Sequence, residues 1–324
     1  NMPGNIIPEV LEVPSPSVAR TRLSKPLEYS GLLDPYQNSD LTPVIGREYI
    51  GLQVADVLAA KDSDALIRDI AVTVSQRGVV FLRNQDVAPQ QMQAFMERLT
   101  TLSGCLGDQI SVISSEKQKK GGGLTHQLSD TTRFASAGWH SDITFEPVPS
   151  DYAMLKIHTL PQTGGDVSYE VYDRLSPALA QFLEGLTATH EAKFFHEEAA
   201  RLGNPLRTTI RGSPLNQGPA LEAVHPIIRT NPVTGWKSVY VNRGFTRRIN
   251  GVTKDESDVL LQYLFNVRFK WNKNDLAIWD NRSTWHTATY DYEAARAGDR
   301  VCSLGEKPFL DPASSSRRDA LRFS

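Results

Sequence analysis

Cysteine is nearly absent: Cys105 and Cys302 are the only two in 324 residues. That is too few for a disulfide framework, and the pair lacks zinc-type spacing. No apolar run approaches the ~20 residues that cross a bilayer. The N-terminal stretch also has no charged segment followed by an apolar one, so no signal peptide is read there. A reducing, cytoplasmic setting without a membrane partner is expected. Positive charge is not in surplus either, with 35 Lys and Arg against 37 Asp and Glu, a formal charge of -2 and a pI near 6.4. Nucleic acid would find no basic field to collect on. Small-molecule chemistry is the class left, and assembly into a homo-oligomer stays open.

No Pro/Gly/Ser-rich linker divides the middle of the chain, so one domain is expected over residues 46–324. Residues 1–45, rich in Pro, Ser and charge as in Val13-Pro14-Ser15-Pro16-Ser17, read as an extended arm carrying little chemistry. Apolar periodicity predicts a helix over Ser63 to Arg77, a strand over Val79 to Leu82, and a helix from Pro89 to about Leu102. Further helices are expected near Ser176 to Gly185 and Lys254 to Asn266, among recurring short strands. That order, mainly β with flanking helices, suggests a sandwich or jelly-roll core. The Gly121-Gly122-Gly123 segment after a charge run reads as a loop between Ser114 and Thr132, placed to act as a lid just upstream of His140.

Chemistry concentrates in Trp139-His140-Ser141-Asp142-Ile143-Thr144-Phe145 and, downstream, in Trp285-His286. On a strand, residues i and i+2 share a face ~6.5 to 7 Å apart, close enough to chelate one ion. Ile143, Thr144, Phe145 and Trp139 favour such a strand. With His286 the pair makes a 2-His-1-carboxylate set, which leaves positions open for a cosubstrate and O2 on a non-heme Fe(II). His-x-Asp alone is a weak signal, and the chain supplies a control: His196-Glu197-Glu198 is also His-x-carboxylate but lies in a helical pattern, where i and i+2 diverge by ~200°. His158, His190 and His225 read as structural histidines of strands.

Larger motifs then agree in order: Leu160-Pro161-Gln162-Thr163-Gly164-Gly165-Asp166, His225-Pro226 through Gly235, Val241-Asn242-Arg243-Gly244-Phe245, Asp275 to Arg282, and Leu304-Gly305-Glu306. Over about Phe134 to Phe309 the chain resembles the taurine dioxygenase (TauD/TfdA) family of Fe(II)/2-oxoglutarate-dependent oxygenases. The resemblance implies a double-stranded β-helix, a cupin-like jelly roll, with His140, Asp142 and His286 as catalytic iron ligands. It implies that Arg296 pairs with the far carboxylate of 2-oxoglutarate and that Arg300 grips an anionic substrate. A planar guanidinium suits both tasks. It also places Phe245 in the substrate pocket and His196 near its mouth. An unpaired Arg300 in a closed pocket would be costly, so a substrate anion is expected as its partner.

Departures from the family pattern accompany the matches. Val167 stands where a threonine usually helps hold 2-oxoglutarate, which leaves one hydrogen bond missing or supplied by Ser168. The segment Leu106 to Ile113 lacks the histidine that sulfonate-using members present, so taurine itself is a poor candidate; His126 is a weak substitute. The implied reaction converts 2-oxoglutarate and O2 to succinate and CO2 while oxidising a substrate C–H bond. Hydroxylation, desaturation and oxidative cyclisation share that start. Asp142, by keeping its place on the metal, argues against a halogenase. A non-catalytic cupin-like binding protein and a hydrolytic zinc enzyme are the rival classes; the first is disfavoured by the complete ligand set, the second by the lack of a visible general base beside a His-rich site.

Overall fold

The computed structural model describes residues 23, 25–102, 110–114, 140–159, 166–169, 172–203, 206, 208–242, 244–262, 274–287 and 297–322. Among these the strands are β1 (Gln37–Asp40), β2 (Arg47–Ile50), β3 (Val79–Leu82), β4 (Ile110–Ser114), β5 (Ser150–Thr159), β6 (Asp166–Tyr169), β7 (Thr187–Glu191) and β8 (Glu222–Pro226). They continue with β9 (Ile228–Thr230), β10 (Lys237–Val239), β11 (Thr246–Asn250), β12 (Leu276–Asp280), β13 (Thr284–Thr287) and β14 (Ala297–Leu304). The helices are α1 (Val54–Ala59), α2 (Ser63–Arg77), α3 (Pro89–Leu102), α4 (Pro177–Glu184), α5 (Lys193–Leu202), α6 (Lys254–Gln262) and α7 (Arg317–Arg322).

Seven strands form the main sheet in the order β1-β2-β3-β12-β5-β14-β4, antiparallel except for the β2/β3 pair. Strand alternation sorts its residues onto two faces. Val80, Leu82, Tyr152, Met154, Leu276, Ile278 and Val301 face one way and pack under α1, α2 and α3 through Val57, Ile67, Ile70, Val74, Met92, Phe95 and Leu99. Val79, Phe81, Ala153, Ile157, Ala277 and Trp279 face the other way. Arg300 and Cys302 of β14 share this second face by parity, since Val301 between them belongs to the first. A three-stranded sheet, β11-β7-β8, and two pairs, β10-β9 and β13-β6, make up the rest of the β structure. A separate core of Leu183, Ala188, Ile227, Ile228, Val239, Val241, Ile249 and Trp285 joins these smaller sheets to α4. The molecule is thus mainly β, with helices on the outer face of the large sheet.

Helix boundaries follow their end signals. α2 stops where Gly78 takes φ 73°, a conformation costly for any other residue. At the start of α4, the Ser176 side chain accepts a hydrogen bond from Leu179 N at 3.3 Å and Pro177 fills the first turn. α6 is described to Gln262, and residues 263–266 of its expected span lie outside the described residues.

Two expectations need correction. The arm assigned to residues 1–45 already belongs to the fold in its later part. β1 is the edge strand of the main sheet, Leu33 is fully buried, and Asp69 of α2 accepts hydrogen bonds from Ser30 N, Ser30 Oγ and Leu32 N. Polar composition concealed a segment anchored by backbone pairing and a buried carboxylate. The stretch after His140 is not a strand: His140 makes a single antiparallel bridge with His286, and residues 142–145 form a turn. Ile143 there has φ 46°, unusual for a β-branched residue. The turn, rather than the pleat, directs Asp142.

Candidate metal centre

His140 and His286 face each other across that bridge, His140 N donating to His286 O at 2.9 Å and His286 N to His140 O at 2.8 Å. Their ring centroids are 4.4 Å apart. β13 fixes the second histidine by pairing with β6, where His286 is in register with Val167. Asp142 is brought in from the turn. Ser141 Oγ donates to Thr284 O at 2.6 Å, and Asp142 N donates to Asn281 Oδ1 at 3.1 Å. Asn281 Oδ1 also accepts from Trp279 Nε1 at 3.1 Å, and the Trp279 ring lies 4.7 Å from the His286 ring. One buried amide therefore orients a ligand-bearing turn and the indole against its neighbouring imidazole.

The outcome is three donor atoms, from His140, Asp142 and His286, all within 4.8 Å of one another. Asp142 Oδ1 is 3.7 Å from His140 Nε2 and 3.5 Å from His286 Nε2. Asp142 Oδ2 and both ring nitrogens of His286 are buried without a hydrogen-bond partner among the described residues. Buried polar atoms left this way are costly unless something else engages them. Two imidazoles and a carboxylate are the donor set that suits a divalent iron, so the residues fit the ion. Burial alone would push the Asp142 carboxyl up. The Arg300 guanidinium, His286 and His140 outweigh it and hold the group well below the usual carboxylate range, as the ionised form a metal needs.

Arg300 comes from β14, where its backbone is flanked by Leu155 of β5 and Ser111 of β4. Its Nη2 is ion-paired with Asp142 Oδ1, its Nε donates to Cys302 Sγ at 3.1 Å, and its guanidinium lies 5.6 Å from the Trp279 ring. The expectation of an Arg300 unpaired until substrate arrives is therefore corrected. An internal carboxylate already neutralises it, because β14 runs beside the turn that presents Asp142. Burial pushes the Cys302 thiol up to about 12, which keeps it protonated despite the adjacent cation.

Phe245 forms an apolar wall on the His140 side, edge-on to that ring at 5.7 Å. Phe145 and Phe194 pack on Phe245 at 4.9 and 5.8 Å, and Phe195 packs on Phe145 at 5.6 Å. His196, next along α5, is exposed and is not among the residues that meet here. Its neighbours Phe194 and Phe195 enter the cluster instead, because successive helix residues turn ~100° apart. Arg296, His126 and the segment from 115 to Thr132 lie outside the described residues, and of Val167 the backbone pairing alone is described.

Sequence reasoning missed Asn281, Trp279, Phe194, Phe195 and the polar group around Thr144. For the first two the signal was present in Trp279-Asp280-Asn281-Arg282, since an indole followed by Asp, Asn and Arg is an unusual close to an apolar strand. Phe194 and Phe195 carried no signal beyond apolarity.

A sequence profile of the family described as "Taurine catabolism dioxygenase TauD, TfdA family" matches residues 37–302. An alpha-ketoglutarate-dependent dioxygenase of Neocamarosporium betae, btcD, is 42% identical over 340 residues, covering 92% of this chain and 99% of its own. An alpha-ketoglutarate-dependent sulfonate dioxygenase of Saccharomyces cerevisiae is 30% identical over 294 residues, covering 84% of this chain and 67% of its own. In structure, the chain superposes with a TM-score of 0.63 on the crystal structure of a taurine dioxygenase from Burkholderia xenovorans, at 26% identity, covering 86% of this chain and 92% of that one.

Proposed function

The chain belongs to the TauD/TfdA family and is an Fe(II)- and 2-oxoglutarate-dependent dioxygenase, and within that chemistry we propose that it oxidises a C–H bond of a small anionic molecule with an apolar body. His140, Asp142 and His286 hold the iron in this reading. The observation that carries it is the convergence of their three donor atoms within 4.8 Å, with Asp142 Oδ2 and the His286 ring nitrogens buried and without a hydrogen-bond partner among the described residues. The bound iron supplies oxidative decarboxylation of 2-oxoglutarate by O2, yielding succinate and CO2 and the oxidising power to break a substrate C–H bond. A double-stranded β-helix is the arrangement we assign to the sheets that surround it.

The chain's own residues bind and orient. Asp142 stays ionised and contributes the one negative charge of the ligand set. Arg296 anchors the far carboxylate of 2-oxoglutarate. Among the described residues, Arg300 uses Nη2 on Asp142 and Nε on Cys302, and Nη1 is the atom that would offer a substrate oxygen a hydrogen bond. The support for an anionic substrate is the sulfonate named for the yeast relative; the Arg300 charge, already neutralised by Asp142, adds none. Phe245, Phe145 and Phe194 would exclude water and hold the apolar part of the substrate near His140. Hydroxylation is the simplest outcome of that placement.

Incubating the protein with Fe(II), 2-oxoglutarate and O2 across a panel of alkyl and aryl sulfonates, sulfate esters and carboxylates tests the proposal. Succinate release should rise with members that join an anion to an apolar chain or ring. Equal stimulation by neutral alcohols of the same size, or by none of the anions, would contradict the assignment of substrate class.

A further inference from the structure

The turn that presents Asp142 contains an unfavourable backbone residue, Ile143 at φ 46°. Such a conformation is costly for a β-branched residue and persists only where surroundings over-determine it. Within the turn, Glu146 N donates to Ile143 O at 2.9 Å. Two carbonyls of the same turn, Thr144 O and Glu146 O, both receive the Nε2 of His225, at 2.9 and 3.1 Å. Since a carbonyl can only accept, Nε2 must carry the proton and donate to both.

His225 is 1% exposed, in β8, and its other nitrogen, Nδ1, has no hydrogen-bond partner among the described residues. The ring is thus committed to one tautomer and one pair of acceptors. Around it the same turn is held by its side chains. Asn242 Nδ2 donates to Thr144 Oγ1 at 3.0 Å, His190 Nδ1 lies 3.0 Å from that hydroxyl, and Arg211 is paired with Glu146 at 2.5 Å. His225 grips the backbone of this segment at two residues.

We propose that His225 is a positioning residue for the metal site: its Nε2–H clamps the carbonyls of Thr144 and Glu146, holds Ile143 in its unfavourable conformation, and thereby keeps the Asp142 carboxylate aimed at His140 and His286. The proposal rests on the reading of Asp142 as a metal ligand. Without the donor, the turn can relax toward an ordinary conformation, and the carboxylate then has to be re-ordered whenever an ion binds. Supporting shells of this kind are typically worth 10- to 100-fold in metal affinity.

Co(II) titration of the metal-free full chain, followed by visible absorption and by calorimetry, tests this independently of turnover. Native protein should bind one equivalent, and Asp142→Ala should not bind; unchanged binding in Asp142→Ala would reject the ligand assignment itself. With that assignment standing, His225→Leu should weaken Co(II) about 10- to 100-fold and shift its absorption bands, while His225→Gln, whose amide retains a donor, should stay within about 3-fold of native. A folded His225→Leu with unchanged affinity and spectrum would overturn the proposal, even with a lowered Tm, because that pattern marks a residue that only stabilises the fold. If His225→Leu does not fold, His225→Asn decides. Its shorter amide cannot reach both carbonyls, so native affinity in that variant would also overturn the proposal, and weakened affinity supports it.

Discussion

Arg282 is fully buried and held by Asp280, whose Oδ1 accepts from Arg282 Nε at 2.8 Å and whose Oδ2 accepts from Arg282 Nη2 at 2.8 Å. Ser75 and Asn231 add donors to the same carboxylate, and Tyr152 stacks beneath the guanidinium at 4.3 Å. Removing one member strands the other in a dry interior. Arg282→Met should therefore lower folding stability by about 3–5 kcal/mol, measured by chemical denaturation; a loss below about 1 kcal/mol would show that Asp280 finds another partner. His225 supplies a pH prediction. Burial pushes its imidazole down to about 4, with the Arg229 cation acting in the same direction. The unfolded chain binds a proton near pH 6.5 that the folded chain refuses until about 4, so stability is full above that upper value and falls as pH drops toward the lower one. The difference is on the order of 3 kcal/mol, and His225→Gln should flatten the pH slope of stability between those values. At Arg296, substitution by Ala should raise the KM for 2-oxoglutarate about 30-fold or more through an unpaired carboxylate. An unchanged KM there, with the increase in Arg300→Ala instead, would exchange the two roles.

At the scale of elements, the path of β14 depends on a close approach. A Cβ on Gly298 would stand 2.4 Å from Lys156 O of the neighbouring strand, at the bulge between Ala297 and Gly298. The obstacle is backbone, so it cannot swing aside. Gly298→Ala should cost about 1–3 kcal/mol, measured by chemical denaturation; a variant with native Tm would show that the strands part without consequence. Elements of this kind differed in how far the sequence disclosed them. α2, α3 and α4 were legible because apolar period, caps and terminal glycine all agree. The turn at Asp142 was not, because Ile143, Thr144 and Phe145 have strand propensity, and the hydrogen bonds that override it come from residues 81 to 139 positions away, such as His225 and Asn281. Propensity is local, and this turn is held from afar.

For the molecule as a whole, the large sheet divides its residues by parity into a face under the helices and a face bearing Trp279, Arg300 and Cys302. The pairing of β13 with β6 and the Asp142 turn bring the remaining site residues together. The identity of His140, Asp142 and His286 as a set could be read from the sequence, since the residue types have few common alternatives that use two imidazoles and a carboxylate. Their convergence followed from the resemblance, but the means of it could not be read, because it depends on a bridge between positions 140 and 286. Nor could the Arg300 pairing, which requires knowing that β14 lies between β5 and β4. In the proposed function the Asp142 carboxylate holds the iron on which 2-oxoglutarate is consumed. Succinate formation by Asp142→Ala, measured with Fe(II), 2-oxoglutarate and O2 beside the native protein, tests it most directly. The variant should stay folded and form no succinate above the enzyme-free background; turnover at the native rate would show that Asp142 does not hold the metal.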